Sequence, residues 1–545
     1  MHERVHRPKA LGRFGIQLSG MNASNIQALW VALACIVGPL LARSAPAADA
    51  PVAEQREQRV AKRFEQLAGQ PPRLRVFLQA MPKGGELHNH LVGSVYAEDY
   101  LRWADEDGYC ISRAAMAIAP PPCDGSTLVP ARGLVLRDPK LYQQLIDALS
   151  VRNFVPGAAT GELSGHDRTF ATFGRFFAIA WPRLADTLVS TLELAAGDKV
   201  SYLETIARPP QVDAFAAAAL DQPFHEDRFA ANLSALQAKL PEPIAQAMRT
   251  FDEAEAAVRR KLHCDTADAR PACAVTVRYL YYIDRGAPPT SVFAQMAFGY
   301  ALVAKDPRFV GINLVAPEDG VVSRRDFRLH MRMFQFFAAR QPGVPLSLHA
   351  GELTLGLVPP NDLRSHIGES VAVAGARRIG HGYGLPFEEG VPALLARMAR
   401  DRVAVEINLT SNAITPGISG SAHPMQMYRR AGVPLVLASD DEGVFRIDLT
   451  HEFVRAAMEQ QLRYLDLKGM ARNGIEYGFV PGASLWQDPL RYRVVPACAA
   501  ALESESATPD TVCATFIAAS EKARLQWQLE RSLADFETQM LQAKF

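Results

Sequence analysis

Eight short apolar segments, separated by longer stretches with helical patterns, most constrain the fold of this chain of 545 residues. A short apolar run bounded by turn residues is typical of a buried parallel strand. The segments lie at residues 85–90, 199–206, 274–283, 309–315, 344–349, 377–381, 403–408 and 433–439. Eight strands that alternate with helices predict an α/β fold, a (β/α)8 barrel of the TIM type. A doubly wound open sheet is the alternative.

Polar side chains stand at the ends of several of these segments. His88 and His90 are two residues apart, so both point to the same side of a strand. His349, His381 and Asp440 end later segments or directly follow them. The carboxyl ends of barrel strands meet at one face, where such barrels place their active sites. A single His-x-His pair usually has a structural role, but three histidine positions with an aspartate predict a site for one divalent metal, and this ligand chemistry suits zinc.

Two further carboxyl groups lie next to these candidate ligands. Glu352 comes three residues after His349 and follows a glycine. In a dry pocket such a carboxyl can stay protonated and act as a general acid, although it could also simply favour a helix N-terminus. Asp441 directly follows Asp440, so one carboxylate can face a metal and the other a substrate; an ordinary turn or N-cap is the alternative.

The composition of the chain limits the classes of molecule that it is expected to bind. Lys+Arg and Asp+Glu both number 58, and hydrophobic residues make up 48% of the chain, as in globular proteins. A net charge near zero gives no electrostatic footprint for nucleic acid or for an anionic membrane. We therefore expect a small-molecule partner and no nucleic acid.

The N-terminus has the pattern of an export signal. Basic residues up to Arg13 precede an apolar run at 26–42, and small residues follow at 45–50. This order predicts cleavage near Ala47 or Ala50 and an exported protein, periplasmic or secreted, with no stable membrane insertion after cleavage. A retained membrane anchor is the alternative, although the run is shorter than the ~20 residues of a typical span.

Six cysteines remain after such cleavage, and their positions suggest three local disulfides. The suggested pairs are 110–123, 264–273 and 498–513. An even number of cysteines in an exported chain favours disulfides over free thiols, which are the alternative. The sequence has no Cys-x-x-Cys motif, which argues against a cysteine zinc site.

The segments and their spacing predict four regions along the chain. Residues 1–47 are a signal peptide and linker, and 48–80 form an N-terminal helical segment. Residues 81–480 form the barrel, with insertions near 104–170 and 207–272. Residues 481–545 are a C-terminal helical extension that contains a strong helical pattern at 514–541.

The polar motifs, taken in order, resemble the adenosine deaminase family of the metal-dependent amidohydrolase superfamily. The matching runs are MPKGGELHNH at 81–90, HAGE at 349–352, RIGHG at 378–382 and SDD at 439–441. The MPKGGELH form, the segment 165–173, the export signal and the early insertion resemble most the secreted branch, the adenosine deaminase-related growth factors. The resemblance covers roughly residues 75–475.

The resemblance implies a zinc-dependent hydrolase that converts adenosine or 2′-deoxyadenosine to inosine or 2′-deoxyinosine and ammonia. One metal would be held by the candidate ligands His88, His90, His349 and Asp440. Its water would attack C6 of the purine, with Glu352, His381 and Asp440 as the catalytic residues. His381 would orient and deprotonate the water, Glu352 would protonate ring N1, and Asp441 would hydrogen-bond N7.

Two positions depart from the family pattern. Val92 stands where intracellular members carry a ribose-binding aspartate, and Ala316, followed by Pro317, stands where a glycine N–H meets purine N3. The Ala316 methyl narrows that approach, so recognition of the nucleoside is in doubt while the metal chemistry is not. Another aminopurine or a modified adenosine is therefore an alternative substrate. An exported, non-catalytic binding or signalling protein on the same barrel is a third hypothesis.

Several other residues are weaker candidates for the pocket. His166, Phe170, Phe173 and Trp181 could form an apolar wall over the purine, or could be ordinary core residues. Asn408, Ser411 and Asn412 could contact the substrate or cap a helix. By resemblance to the secreted branch, the N-terminal helical segment could form a homodimer, although its apolar face could equally pack on its own barrel.

Overall fold

The computed structural model describes residues 52–155, 163–221, 223–503 and 508–543. These residues all belong to the compact unit Pro51–Phe545. The predicted signal peptide and linker at 1–47 lie outside the described residues. Within the described ranges, no helix combines the length and the apolar character needed to cross a lipid bilayer.

All eight predicted segments form strands, and the predicted barrel is confirmed. We number the barrel strands in chain order: β1 Gly84–His90, β2 Val200–Ala207, β3 Thr276–Asp284, β4 Phe309–Val315, β5 Ser347–Ala350, β6 Arg378–His381, β7 Ala404–Ile407 and β8 Leu435–Leu437. The strand ends differ from the prediction by up to three residues. Apolar runs locate the buried part of a strand better than its ends.

The eight strands form a closed barrel. Strands β1 to β4 and strands β5 to β8 each form a four-stranded sheet in chain order, and every neighbouring pair in them is parallel. Two isolated parallel bridges join the sheets, Asn89 with Asp440 and Ile312 with Leu346. The closure rules out the open sheet, and it brings the carboxyl ends of all eight strands to one face.

Helices connect the strands. The longer ones are Ala97–Glu106, Leu184–Gly197, Pro241–Lys261, Pro289–Val303, Phe327–Arg340, Val391–Asp401, Leu449–Glu459 and Tyr464–Glu476. Helix Pro289–Val303 is apolar on nearly all sides because it contacts both β3 and β4 and also neighbouring helices. Shorter helices are Phe177–Ala180, Val321–Arg325, His366–Glu369, Leu409–Ile414, Met425–Arg430 and Glu442–Phe445.

The two predicted insertions have different structures. The first contains a small antiparallel sheet and then helices: strands Cys110–Ser112, Ala117–Ala119 and Leu128–Pro130, and helices Leu134–Arg137, Pro139–Ala148 and Gly165–Phe173. The second is helical, with Gln211–Ala219 and Phe229–Gln237 before the long helix Pro241–Lys261. The structure places the sulfur atoms of the three suggested cysteine pairs at bonding distance, Cys110–Cys123, Cys264–Cys273 and Cys498–Cys513.

The N-terminal helices pack on the chain itself. Helices Val52–Leu67 and Pro71–Ala80 form the predicted helical segment, and Pro71 begins the second helix, where its missing N–H is not needed. Phe77 contacts Tyr464 and Phe536 with ring centroids 6.0 and 5.1 Å apart. The apolar face is therefore covered by the same chain and is not available to a second copy.

The strong helical pattern at 514–541 corresponds to two helices in the structure. Thr511–Ala518 ends before Ser520, and Glu521–Gln542 begins after it. The Ser520 hydroxyl accepts a hydrogen bond from the Ala523 N–H, the usual action of an N-cap serine, and so starts the second helix. A hairpin, Trp486–Asp488 with Arg493–Val494, and helix Pro496–Glu503 complete this region.

His330 is a buried histidine that should make the fold sensitive to acid. Neither of its ring nitrogens has a hydrogen-bond partner among the described residues, and burial lowers its pKa from 6.5 to about 4. Between these pH values the unfolded chain binds a proton that the folded chain does not, so stability falls as pH falls. The free energy of unfolding of the parent protein should decrease between pH 7 and pH 5. In His330→Met we expect this decrease to be smaller by about 2 kcal/mol, as measured by urea unfolding at both pH values.

The matched control is His225→Met, since His225 is exposed. It should leave the pH dependence of unfolding as in the parent protein. If His330→Met showed the same slope as this control, the assignment of the acid sensitivity to His330 would be wrong.

Candidate active site

Four histidines and an aspartate meet at the carboxyl face of the barrel. His88 and His90 lie on β1, His349 on β5, His381 at the end of β6, and Asp440 after β8. Asp440 Oδ1 is 3.4 Å from His88 Nε2 and 3.2 Å from His90 Nε2. His90 Nε2 is also 3.3 Å from His349 Nε2. The structure thus brings together the predicted ligands.

Two overlapping groups in the described residues have the spacing of a cation site. One consists of His88, His349, His381 and Asp440, and the other of His90, Asp440 and Asp441. His88 Nε2 is fully buried and has no hydrogen-bond partner among the described residues. A buried polar atom of this kind is costly unless something binds it. A divalent metal with nitrogen and oxygen ligands fits this group.

Neighbours outside the cluster orient two of the imidazoles. His88 Nδ1 lies 2.7 Å from Glu406 Oε2, and His349 Nδ1 lies 2.7 Å from Asn313 Oδ1. Each Nδ1–H donates to an oxygen, which turns the Nε2 atom toward the cluster as metal-binding histidines require. Despite burial, the flanking carboxylates Asp440 and Glu406 raise the pKa of His88 to about 10.

A buried ionic network supports the cluster from below. Arg378 Nη2 donates to Glu204 Oε2 at 2.6 Å and its Nε donates to Glu406 Oε1 at 2.5 Å. The guanidinium also lies 3.8 Å from the centre of the Phe479 ring. Burial alone would raise the pKa of Glu406, but Arg378 and His88 lower it to about 2, so this carboxylate is ionised. The network fixes the acceptor of the His88 Nδ1–H.

No role was predicted from the sequence for Glu204, Arg378 or Glu406. Glu406 nevertheless carried a signal, because it lies between the apolar residues Val405 and Ile407 of a short strand. A charge at such a position is buried only if it is paired.

Glu406→Gln should weaken metal binding by about 10- to 100-fold, the usual effect of losing a carboxylate that orients a ligand histidine. The side chain keeps its shape but no longer offers His88 an ionised acceptor. Titration of metal-free protein with Zn²⁺ against a chelating indicator measures the affinity. The exposed Glu253→Gln is the control. An affinity for Zn²⁺ within about twofold of the parent would contradict the assigned role of Glu406.

Glu352 sits above the cluster on the loop after β5. Its Oε1 is 3.8 Å from His381 Nε2, and burial raises the pKa of its carboxyl group. Glu318 holds this loop, since its Oε2 accepts the Glu352 N–H at 2.6 Å and its Oε1 accepts the Gly351 N–H at 3.3 Å. His366 Nδ1 lies 2.5 Å from Glu318 Oε1. The role of Glu318 could not be predicted from the sequence, because its contact with the Glu352 loop exists only in the folded chain.

Asp441 presents an unpaired carboxyl group to the same space. Burial first, and then the charge of Asp440, raise the pKa of Asp441 well above its usual value. Its Oδ1 is buried and has no hydrogen-bond partner in the part of the chain that the structure describes. A side chain at Gly93 would not fit, since a Cβ there would lie 1.5 Å from this oxygen. A protonated Asp441 can donate a hydrogen bond into the cavity.

Three of the candidate residues have left-handed backbone conformations. His381 and Asp440 have φ of 63°, and Ala316 has φ of 79°. Such values are uncommon for residues with a side chain and occur most often at functional sites. At Ala316 the conformation is one that glycine adopts without strain.

A cavity of about 410 Å³ opens onto the cluster, within the size range of small-ligand sites. Its walls are largely apolar: Val92, Phe170, Phe173, Phe177, Trp181, Ile206, Val315, Ala316 and Pro317. Polar or charged atoms come from His90, His349, Glu352, His381, Ser411, Asp440 and Asp441, and, from other strand ends, Arg208, Tyr282 and Asp284. The sequence did not single out Arg208, Tyr282 or Asp284.

The weaker candidates fall in different places. Phe170, Phe173 and Trp181 line the cavity, but His166 lies outside the lining and its Nε2 is 2.9 Å from Asp319 Oδ1. His166 therefore joins the helix Gly165–Phe173 of the first insertion to the loop after β4. Asn408 and Asn412 contact His381 rather than the cavity.

Comparison with known proteins shows that this chain is similar in sequence to deaminases. The family model for adenosine deaminase matches residues 241–485. An adenosine deaminase of Shewanella loihica is 29% identical over 181 residues, 33% of this chain and 50% of that protein. An aminodeoxyfutalosine deaminase of Streptomyces coelicolor is 34% identical over 184 residues, 33% of this chain and 43% of that protein. The chain thus spans about half the length of these curated relatives.

A solved structure supports the fold at the level of architecture. The structure of Arabidopsis ADAL complexed with IMP covers 84% of this chain and 99% of its own, with 18% identity and a TM-score of 0.51. At this identity the likeness concerns the fold alone.

Proposed function

We propose that this chain, whose residues 241–485 match the family model for adenosine deaminase, hydrolyses adenosine or 2′-deoxyadenosine to inosine or 2′-deoxyinosine and ammonia. The observation that carries the proposal is the single cavity where a buried His/Asp cluster faces Glu352 and Asp441. Burial raises the pKa of both Glu352 and Asp441, a perturbation that suits proton transfer to a substrate and that binding alone does not require.

The proposed ligands of the metal are His88, His90, His349 and Asp440. A divalent metal, zinc in this proposal, supplies a water molecule acidic enough to act as a nucleophile near neutral pH. His381 Nε2, 3.8 Å from both Glu352 Oε1 and Asp440 Oδ2, would orient that water beside the purine. The apolar wall of Phe170, Phe173 and Trp181 would exclude other water from the ring.

The two protonated carboxyl groups would stabilise the charge that moves into the ring. Glu352 would give its proton to N1, which makes C6 more electrophilic. Asp441 would donate a hydrogen bond to N7. The C6–O bond then forms, the C6–N bond breaks, and the amino group leaves as ammonia.

The second candidate substrate is an adenosine that carries an additional substituent on its ribose. Val92 offers no carboxylate to the ribose, whereas Arg208, Tyr282 and Asp284 bring polar groups into the same cavity. These groups suit a substituent that carries its own hydrogen-bond partners. Other aminopurines belong in the same comparison.

The test is an absorbance assay of zinc-loaded protein with adenosine, followed by measurement of ammonia. A fall in the adenosine band with equimolar ammonia, lost after metal removal and in Glu352→Ala, is the expected result. No turnover of adenosine would reject this substrate and move the assay to 5′-substituted adenosines and free aminopurines. No turnover of any of them would favour the binding-protein hypothesis.

Export remains a proposal that rests on the N-terminal sequence. We expect the mature protein to begin near Ala48 or Pro51, outside the cytoplasm. Intact-mass measurement of the protein from cell fractions tests it, and a full-length chain confined to the cytoplasm would reject it.

A further inference from the structure

His381 lies at one end of a row of hydrogen-bonding groups behind the cavity. Its Nδ1 is 2.9 Å from Asn412 Oδ1 and 3.4 Å from Asn408 Nδ2. Asn412 Nδ2 is in turn 2.9 Å from Nε2 of His423. At the far end, the Met425 N–H donates to His423 Nδ1 at 3.1 Å. All three side chains in the row behind His381 are buried.

The Met425 N–H fixes the proton of His423. A backbone N–H can only donate, so His423 Nδ1 must accept and carries no proton. Burial is the main cause that lowers the pKa of His423 to about 4, so the ring is neutral at physiological pH, in agreement with an accepting Nδ1. The one proton of the neutral ring is therefore on Nε2, which makes Nε2 a donor.

This donor decides how Asn412 is oriented. With the amide nitrogen toward His423, an N–H of Asn412 and the N–H of His423 would face each other. A half-turn of the amide exchanges its oxygen and nitrogen without moving any neighbour, and hydrogen bonding decides between the two orientations. The Asn412 oxygen thus accepts from His423, and its NH₂ group faces His381.

We propose that His423 is a positioning residue that, acting through Asn412, keeps Nδ1 of His381 as a hydrogen-bond acceptor, with the ring proton on Nε2. In this orientation the Asn412 NH₂ faces His381 Nδ1, as the Asn408 NH₂ does, so Nδ1 accepts. The opposite nitrogen, Nε2, faces Oδ2 of the Asp440 carboxylate at 3.8 Å, and a carboxylate can only accept. These groups agree with a proton on Nε2.

The proton position separates His381 from the metal ligands. His88 and His349 donate from Nδ1 and turn bare Nε2 atoms to the cluster, whereas His381 turns an N–H. A protonated ring nitrogen has no lone pair for a metal, although spacing alone admits His381 to the cluster. In turnover, which rests on the proposed function, His381 then donates a hydrogen bond to the attacking oxygen. It does not start as the base that the family resemblance implies.

Long-range ¹H–¹⁵N correlation on the whole protein labelled with ¹⁵N-histidine tests the proposal. Loss of one signal set in His381→Gln assigns His381. We expect the parent protein, with and without zinc, to show His381 protonated on Nε2. His423→Gln should keep this state, because its amide oxygen can accept from Met425 and its NH₂ can donate to Asn412.

His423→Leu should release Asn412, produce the Nδ1–H form of His381, and lower kcat about 10-fold with KM changed less than about twofold. If His423→Leu does not fold, the isosteric Asn412→Asp serves instead, since a carboxylate only accepts and must draw a proton to His381 Nδ1.

A parent spectrum with the His381 proton on Nδ1 would overturn the proposal, whatever the activity. So would an unchanged His381 tautomer in both His423→Leu and Asn412→Asp. The spectrum needs no turnover, so an Nε2–H signal in a protein inactive on adenosine would reject the substrate and leave this inference standing.

Discussion

Glu352→Gln is expected to lower kcat for deamination by about 10²- to 10⁴-fold, the range that general acid catalysis usually contributes. Glutamine fills the same space and can hydrogen-bond N1, but it cannot transfer a proton. The ground-state complex should therefore form with a similar KM. Metal content should be unchanged, because Glu352 is not among the proposed ligands.

Steady-state kinetics of Glu352→Gln and of the exposed Glu389→Gln, each with measured zinc content, check this expectation. The control should match the parent protein. A Glu352→Gln protein with kcat within about threefold of the parent would mean that the proton reaches the purine from another group.

Arg378→Met is expected to destabilise the fold by about 3–5 kcal/mol, the usual cost of breaking a buried ion pair by removing one partner. Arg378 is fully buried, and its loss leaves the carboxylates of Glu204 and Glu406 without their cation. Urea unfolding at neutral pH measures the effect. The exposed Arg332→Met is the control and should change stability by less than about 0.5 kcal/mol.

A second variant separates charge from packing in this network. Glu204→Gln in the Arg378→Met background removes one of the two buried carboxylates that have lost their cation. The double variant should therefore recover part of the lost stability. If the single variant were as stable as the Arg332→Met control, the network would have no role in holding the barrel together.

The barrel was predictable because its strands carry their signal locally. Each is a short apolar run, and the parallel arrangement follows from the helices between them. The predicted metal ligands were recognisable for a similar reason, since His88 and His90 share one strand and the other ligands follow strand ends. The boundary between the two C-terminal helices at Ser520 could have been predicted, because serine is a common N-cap residue.

Other parts of the site depend on contacts between segments that are distant in the sequence. Glu318 meets the Glu352 loop, and Arg378 joins Glu204 to Glu406, only once the barrel has closed. His423 gains its role from one backbone N–H and one asparagine. A single sequence shows the residue types but not the contacts between distant segments. The roles of these residues could therefore be recognised only in the structure. Arg208, Tyr282 and Asp284 were missed for the same reason.

The bridge between Asn89 and Asp440 has a consequence for biosynthesis. His88 and His90 leave the ribosome early on the first strand, whereas Asp440 follows the last. The β1–β8 junction joins them, because the His90 N–H donates to the Asp440 carbonyl and the Asp440 N–H donates to the His88 carbonyl. A nascent chain therefore has no complete cation site until its final strand has emerged. The cation site and the barrel are therefore completed by the same segment of the chain, and a chain released early would lack both.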